Sequence, residues 1–89
     1  MIIGFKNKAA ETILKEGVAR GVSGDVARAA RRRLQQLDNA SSVDDMRSPP
    51  GNQLHWVGDA WSIRVNRQFR ITFTWEAEGP DDVWFGDYH

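Results

Sequence analysis

The run Phe69-Arg-Ile-Thr-Phe-Thr-Trp75 alternates apolar and polar side chains without a fault. Successive side chains of a strand point to opposite faces, so this run reads as a strand with an apolar face (Phe69, Ile71, Phe73, Trp75) and a polar face (Arg70, Thr72, Thr74). Such a strand needs paired neighbours and a hydrophobic layer against one side. The flanking sequence supplies both.

Leu54-His-Trp-Val57 and Ala60-Trp-Ser-Ile-Arg-Val65 flank Gly58-Asp59, a two-residue link suited to a tight hairpin. That link sets Val57 opposite Ala60, Trp56 opposite Trp61 and His55 opposite Ser62. The odd-length loop Asn66-Arg67-Gln68 then sets Val65 against Phe69, Arg64 against Arg70, Ile63 against Ile71, Ser62 against Thr72 and Trp61 against Phe73. Leu54, Trp56, Trp61, Ile63 and Val65 thereby join the apolar face. His55, Ser62 and Arg64 join the polar one. Glu76–Asp82 reads as a turn and Val83-Trp-Phe-Gly-Asp-Tyr88 as the last strand. Alternation sends Val83 and Phe85 inward and Trp84 and Tyr88 to the arginine face, leaving Asp87 and His89 on the other side. Gly86 is the natural place for a bulge that re-aims the last three residues.

The layer against the sheet comes from the first half. After a short strand or lead-in at Ile2–Phe5, Asn7 caps a helix over about 8–16, with Ala10, Ile13 and Leu14 at helical spacing and Gly17 at its end. Ser23 caps a second helix, with Asp25 in its first turn and Val26, Ala30, Leu34 and Leu37 as its apolar stripe. Arg28, Arg31, Arg32 and Arg33 make a basic opposite face, and Asp38-Asn39 closes the helix. Ser42–Asp45 nucleates a further turn before the breaker Ser48-Pro-Pro-Gly-Asn52. The expected fold is α+β: one domain over residues 1–89, two N-terminal helices packed on an antiparallel sheet of about four strands.

Composition narrows the chemistry. The absence of cysteine excludes disulfides and thiolate catalysis. Two histidines without ligand spacing make no metal site, so neither metal nor cofactor is expected. No apolar run suits a signal peptide or a membrane span, which points to the cytoplasm. Net charge is zero but unevenly placed: residues 1–47 carry nine Lys/Arg and six Asp/Glu, residues 48–89 three and six. That balance argues against strong non-specific binding to a polyanion.

The most informative pair is Arg64 opposite Arg70. Directly opposed like charges on a sheet repel at a cost of some tenths of a kcal/mol. An anion lying between them reverses the sign, and two guanidinium forks suit a phosphate. The plainer alternative is that each pairs with a neighbouring carboxylate or extends into water.

Pro49-Pro-Gly-Asn-Gln-Leu54, Trp61-Ser-Ile-Arg-Val-Asn66 with Gln68-Phe-Arg-Ile71, and the terminal Asp87-Tyr-His89 together resemble HigB-type toxins of the RelE/ParE superfamily. The resemblance spans nearly the whole chain. It implies a ribosome-dependent endonuclease that cleaves messenger RNA without a metal and is held inactive in a hetero-oligomer by a helix-turn-helix, HigA-like antitoxin. In the implied chemistry the ribose 2′-hydroxyl attacks the adjacent phosphate. The enzyme must then orient that phosphate, neutralise growing charge and move protons. By motif, Arg64 and Arg70 are the phosphate-side electrophiles, and Asp87, Tyr88 and His89 the proton-transfer end. Asn66 braces the arginines or the backbone, Arg67 adds charge, and Trp84 stacks on a base or fills a gap against a helix or partner.

The sequence departs from the pattern between β-segments. Relatives carry Leu-Lys-Gly-Asp-Arg and several further residues before the Trp-Ser-Ile strand, whereas Trp56-Val-Gly-Asp-Ala60 forms a tight link without the lysine. Two other readings follow: a non-catalytic poison of the same superfamily that binds a replication enzyme such as gyrase, and a weakened toxin retained as an antitoxin-binding regulatory module. The Asp-Tyr-His ending favours the nuclease; the missing lysine and neutral charge favour the weakened toxin.

Overall fold

Four antiparallel strands, β1 (His55–Trp56), β2 (Trp61–Arg64), β3 (Phe69–Glu76) and β4 (Gly79–Asp87), lie in the order β1-β2-β3-β4 in a computed structural model that describes residues 1–87. Two helices precede them, α1 (Lys8–Glu16) and α2 (Gly24–Asn39), with short 3-10 turns at Val43–Arg47 and Pro50–Asn52 between α2 and the sheet. This is the α+β arrangement expected from the change of period.

The helix ends follow local chemistry. The Asn7 side chain accepts from the Ala10 amide at 3.2 Å, and Gly17, at φ 78°, closes α1 in the left-handed conformation that a residue without Cβ adopts at no steric cost. Ser23 caps α2 by accepting from the Val26 amide at 3.3 Å. The α2 stripe is buried at Ala27, Ala30, Leu34 and Leu37 and only half-buried at Val26. With Ala10 and Ile13 of α1, it packs on Ile63, Ile71, Phe73, Val83 and Phe85 of the sheet.

Register matches parity at every β2–β3 position: Trp61 faces Phe73, Ser62 Thr72, Ile63 Ile71 and Arg64 Arg70. His55 faces Ser62 and Trp56 faces Trp61. The Val57 amide donates to the Ala60 carbonyl at 2.9 Å across Gly58-Asp59, and the Val65 amide to the Phe69 carbonyl at 3.0 Å across Asn66–Gln68.

Three expectations need correction. First, the turn after β3 is only Ala77-Glu78, and β4 begins at Gly79 rather than Val83, with Glu76 opposite Gly79 and Trp75 opposite Pro80. Pro80, which has no N–H to donate, contributes its carbonyl, accepting from the Ile3 amide at 2.8 Å. Second, the bulge falls at Asp82-Val83, where Thr72 faces Trp84 but Thr74 faces Asp81, and not at Gly86, which pairs regularly with Arg70. Asp82, at φ 48°, takes the left-handed turn that the extra residue requires. Third, Trp56 is not packed under the helices; it is 53% exposed, touching Trp61 edge to face at 5.3 Å. The helices lie toward β4 and leave the β1 corner uncovered.

The N-terminal segment runs parallel along the outer edge of β4. Phe5 bridges Val83, the Val83 amide donates to Gly4, and the Lys6 amide donates to Val83. Asn7 then clamps both backbone groups of Phe85, its Nδ2 donating to the carbonyl at 2.7 Å and its Oδ1 accepting from the amide at 3.2 Å. One side chain therefore starts α1 and anchors the end of β4.

Candidate functional site

Arg64 and Arg70 face each other across the β2–β3 ladder on the side away from the helices. Both are half-buried. Ser62, on the same face, is fully buried with a hydroxyl that has no partner among the described residues. Long side chains therefore form a layer over this side of the sheet, which is less open than alternation alone suggests. Arg64 Nε donates to the Asn66 carbonyl at 3.1 Å. Arg70 Nη1 is buried and has no hydrogen-bond partner among the described residues. No carboxylate among those residues forms an ion pair with either arginine. Of the two plainer alternatives, a carboxylate partner is not found among the described residues. A buried unsatisfied guanidinium N–H is costly, and an arriving anionic oxygen would satisfy it.

Asn66 braces the backbone. Its Oδ1 accepts from the Gln68 amide at 2.8 Å and the Phe69 amide at 2.7 Å, which closes the loop into β3. Its carbonyl holds Arg64, so one residue sets both loop and arginine. Arg67 is exposed at the tip of the same loop. Gln68 Nε2 donates to Asp87 Oδ2 at 2.9 Å, linking the loop to the end of β4. Asp87 pairs with Phe69, as alternation requires. The Tyr88 and His89 assignments lie outside the described residues.

Trp84 faces Thr72 on the arginine side, and its indole ring lies over Gly86, where a Cβ would collide with it. It forms part of the wall of a groove of about 390 Å³ lined also by Lys6, Val57, Asp59, Ala60, Thr72, Thr74, Asp82 and Asp87. Three carboxylates against one lysine make this groove acidic. The adjoining arginine pair is cationic, so the face is electrically divided. His55 stands apart: its Nδ1 lies 2.9 Å from the Gln53 carbonyl, which can only accept, so that nitrogen carries the proton of the bond.

The α2 arginines do not form one solvated stripe. Arg31 Nε and Nη2 donate to the Leu14 and Lys15 carbonyls at the end of α1, at 3.1 and 3.4 Å. Arg33 donates to the Ala29 carbonyl at 3.0 Å; burial pushes its guanidinium below its ordinary pKa, and Arg32 adds to the shift. Arg28 pairs with Asp25 at the exposed surface, and Arg32 is exposed. Sequence periodicity missed Gln68 and the second role of Asn7, because both act through long-range contacts that no local spacing encodes.

Among known proteins, the chain is 38% identical over 80 residues to Toxin HigB-1 of Vibrio cholerae, covering 84% of each chain. It is 29% identical to Endoribonuclease HigB of Proteus vulgaris over an alignment spanning 100% of both. The family model described as RelE-like toxin of type II toxin-antitoxin system HigB matches residues 3–89. The chain belongs to the HigB family of RelE-like toxins of type II toxin–antitoxin systems.

Proposed function

We propose that this toxin is a ribosome-dependent endoribonuclease that cleaves messenger RNA in the cytoplasm and is restrained by a helix-turn-helix, HigA-like antitoxin. The observation that carries the reading is the facing Arg64–Arg70 pair, without a carboxylate partner among the described residues and with one buried N–H unsatisfied. The name of the Proteus vulgaris relative gives the reaction class.

In the proposed mechanism the scissile phosphate lies between the two guanidinium forks. These take the electrophilic role that a metal plays in other nucleases, so no cofactor is invoked. As the ribose 2′-hydroxyl attacks, charge grows on the non-bridging oxygens, and donors already held in place need no reorganisation to meet it. Asn66 fixes Arg64 through its carbonyl and Arg67 adds charge at the loop tip. Asp87, Tyr88 and His89 supply proton transfer, and Trp84 offers a stacking wall for a neighbouring base.

The test is growth arrest on induction, followed by mapping of messenger RNA ends on translating ribosomes. Arg70→Ala should slow cleavage about a hundredfold or more, the usual worth of one such donor. Removing His89 should cost at least about a hundredfold if it moves a proton. The reading fails if both variants cut as the parent does.

A second reading has its own observation. The acidic groove beside the arginines and the lysine-free Gly58-Asp59 turn disfavour a polyanion, which suits a weakened toxin kept as an antitoxin-binding regulatory module. A parent that binds antitoxin but neither arrests growth nor cuts would establish it.

A further inference from the structure

The outer edge of β4 is held by a segment that changes structure halfway along it. Around Val83 the contact is backbone to backbone: the Val83 amide donates to the Gly4 carbonyl at 3.1 Å, and the Val83 carbonyl accepts from the Lys6 amide at 2.8 Å. In a parallel ladder the next residue of β4 to turn its backbone to that edge is Phe85, opposite Asn7. The chain, however, enters α1 at Lys8, and the ladder stops. The Asn7 side chain continues it. Its Nδ2 donates to the Phe85 carbonyl at 2.7 Å and its Oδ1 accepts from the Phe85 amide at 3.2 Å, so one carboxamide replaces two peptide groups. The same Oδ1 accepts from the Ala10 amide at 3.2 Å, which ties the first turn of α1 to that point of β4. Asp87 lies two residues further along β4, opposite Phe69, and Tyr88 and His89 follow in the chain.

We infer that Asn7 is a positioning residue for the proton-transfer end: by clamping Phe85 to the start of α1, it fixes the course on which β4 carries the chain toward Asp87, Tyr88 and His89. The catalytic half of this inference rests on the nuclease reading; the clamp does not. Proton transfer needs its groups within hydrogen-bond reach of the reacting atoms, and a misplacement of about 1 Å can cost about a hundredfold. Asn7→Ser keeps an oxygen for the Ala10 amide, because serine caps helices as well as asparagine does, but its stem is one heavy atom shorter and does not span to Phe85. Asn7→Asp keeps both accepting contacts and removes only the donor to the Phe85 carbonyl.

Amide hydrogen exchange on the full chain tests the clamp. In Asn7→Ser the Phe85 amide should exchange roughly tenfold faster, the scale of one hydrogen bond, while the Ala10 amide keeps its protection. Single-turnover cleavage of messenger RNA on ribosomes tests the consequence. Asn7→Ser and Asn7→Asp should each lower the maximal rate at least about tenfold and leave the half-saturating ribosome concentration unchanged. Ser23→Ala, which removes the cap of α2, should cut as the parent does, so a loss of helix stability is told apart from a loss of position. In the His89→Ala background the slowing by Asn7→Ser should shrink, because one of the groups it positions is gone. Unchanged Phe85 exchange overturns the inference, as does an equal rate in the parent and both Asn7 variants, or a loss that Ser23→Ala reproduces. If the parent itself does not cut, the nuclease reading falls and the exchange data alone decide the clamp.

Discussion

Asn52, just before β1, and Asn66, in the loop between β2 and β3, use the same device, a side-chain amide committed to backbone groups. Asn52 is 1% exposed, and its Nδ2 lies within hydrogen-bond reach of the Met46 carbonyl at 3.1 Å, the Gln36 side-chain oxygen at 3.2 Å and the Ser48 carbonyl at 3.3 Å. It therefore ties both 3-10 turns to α2 just before β1 begins. Asn52→Ala would strip buried acceptors of their donor and leave a small void, costing about 2–3 kcal/mol. In a domain of this size that lowers the melting temperature by roughly 8–24 °C. Thermal unfolding followed by circular dichroism checks this; a drop of only a degree or two would mean that water replaces the amide freely. The Pro-Pro-Gly-Asn segment was legible from sequence as a breaker. Its asparagine as a buried hub was not, because burial at that point depends on Gln36, sixteen residues away.

At the scale of elements, β4 is the least legible. Its far half behaves as alternation requires: Phe85 stacks on Phe69 at 5.1 Å, and Gly86 meets Arg70. Its near half is not legible, since Gly79 and Pro80 are turn residues by composition yet pair with Glu76 and Trp75 of β3, with the Ile3 amide donating to the Pro80 carbonyl on the outer edge. The bulge at Asp82-Val83 was equally hidden, because it answers the twist of the assembled sheet rather than a local glycine. The β2–β3 registers, by contrast, were fully legible, as one fault-free run and two short loops leave parity no freedom. Gly86 offers an element-level test. Gly86→Ala places a methyl where the Trp84 ring lies, so the indole must swing aside. Displacing the ring should cost about 1–3 kcal/mol of stability. The Trp84 Nε1–H resonance should shift clearly and oligonucleotide affinity should fall. A resonance that stays in place would show that the ring does not wall the groove.

Over the whole molecule, zero net charge conceals a division of labour between the helical half and the sheet. Much of the basic excess on α2 is engaged within the protein, through Arg31 on the α1 carbonyls, Arg33 on Ala29 and Arg28 with Asp25. Little of it is left to attract RNA at a distance. In the proposed site the two sheet arginines would act at contact range, beside a groove lined by three carboxylates and one lysine. Such a surface should show weak intrinsic RNA affinity and depend on the ribosome to present the message. Salt dependence measures this directly. If only Arg64 and Arg70 neutralise phosphates, the slope of log K against log salt for a single-stranded oligonucleotide should be about −1.4, at roughly −0.7 per contact. A slope near −3 or steeper would mean that further cations, Arg67 or Lys6 or the exposed Arg32, share the binding, and the two-arginine account of affinity would be wrong. Replacing Gly58-Asp59 by the longer lysine-bearing loop of relatives should steepen the slope by about 0.7 if that lysine reaches the backbone. An unchanged slope in that chimera would separate the lysine from phosphate binding and leave the acidic groove as the feature that limits the site.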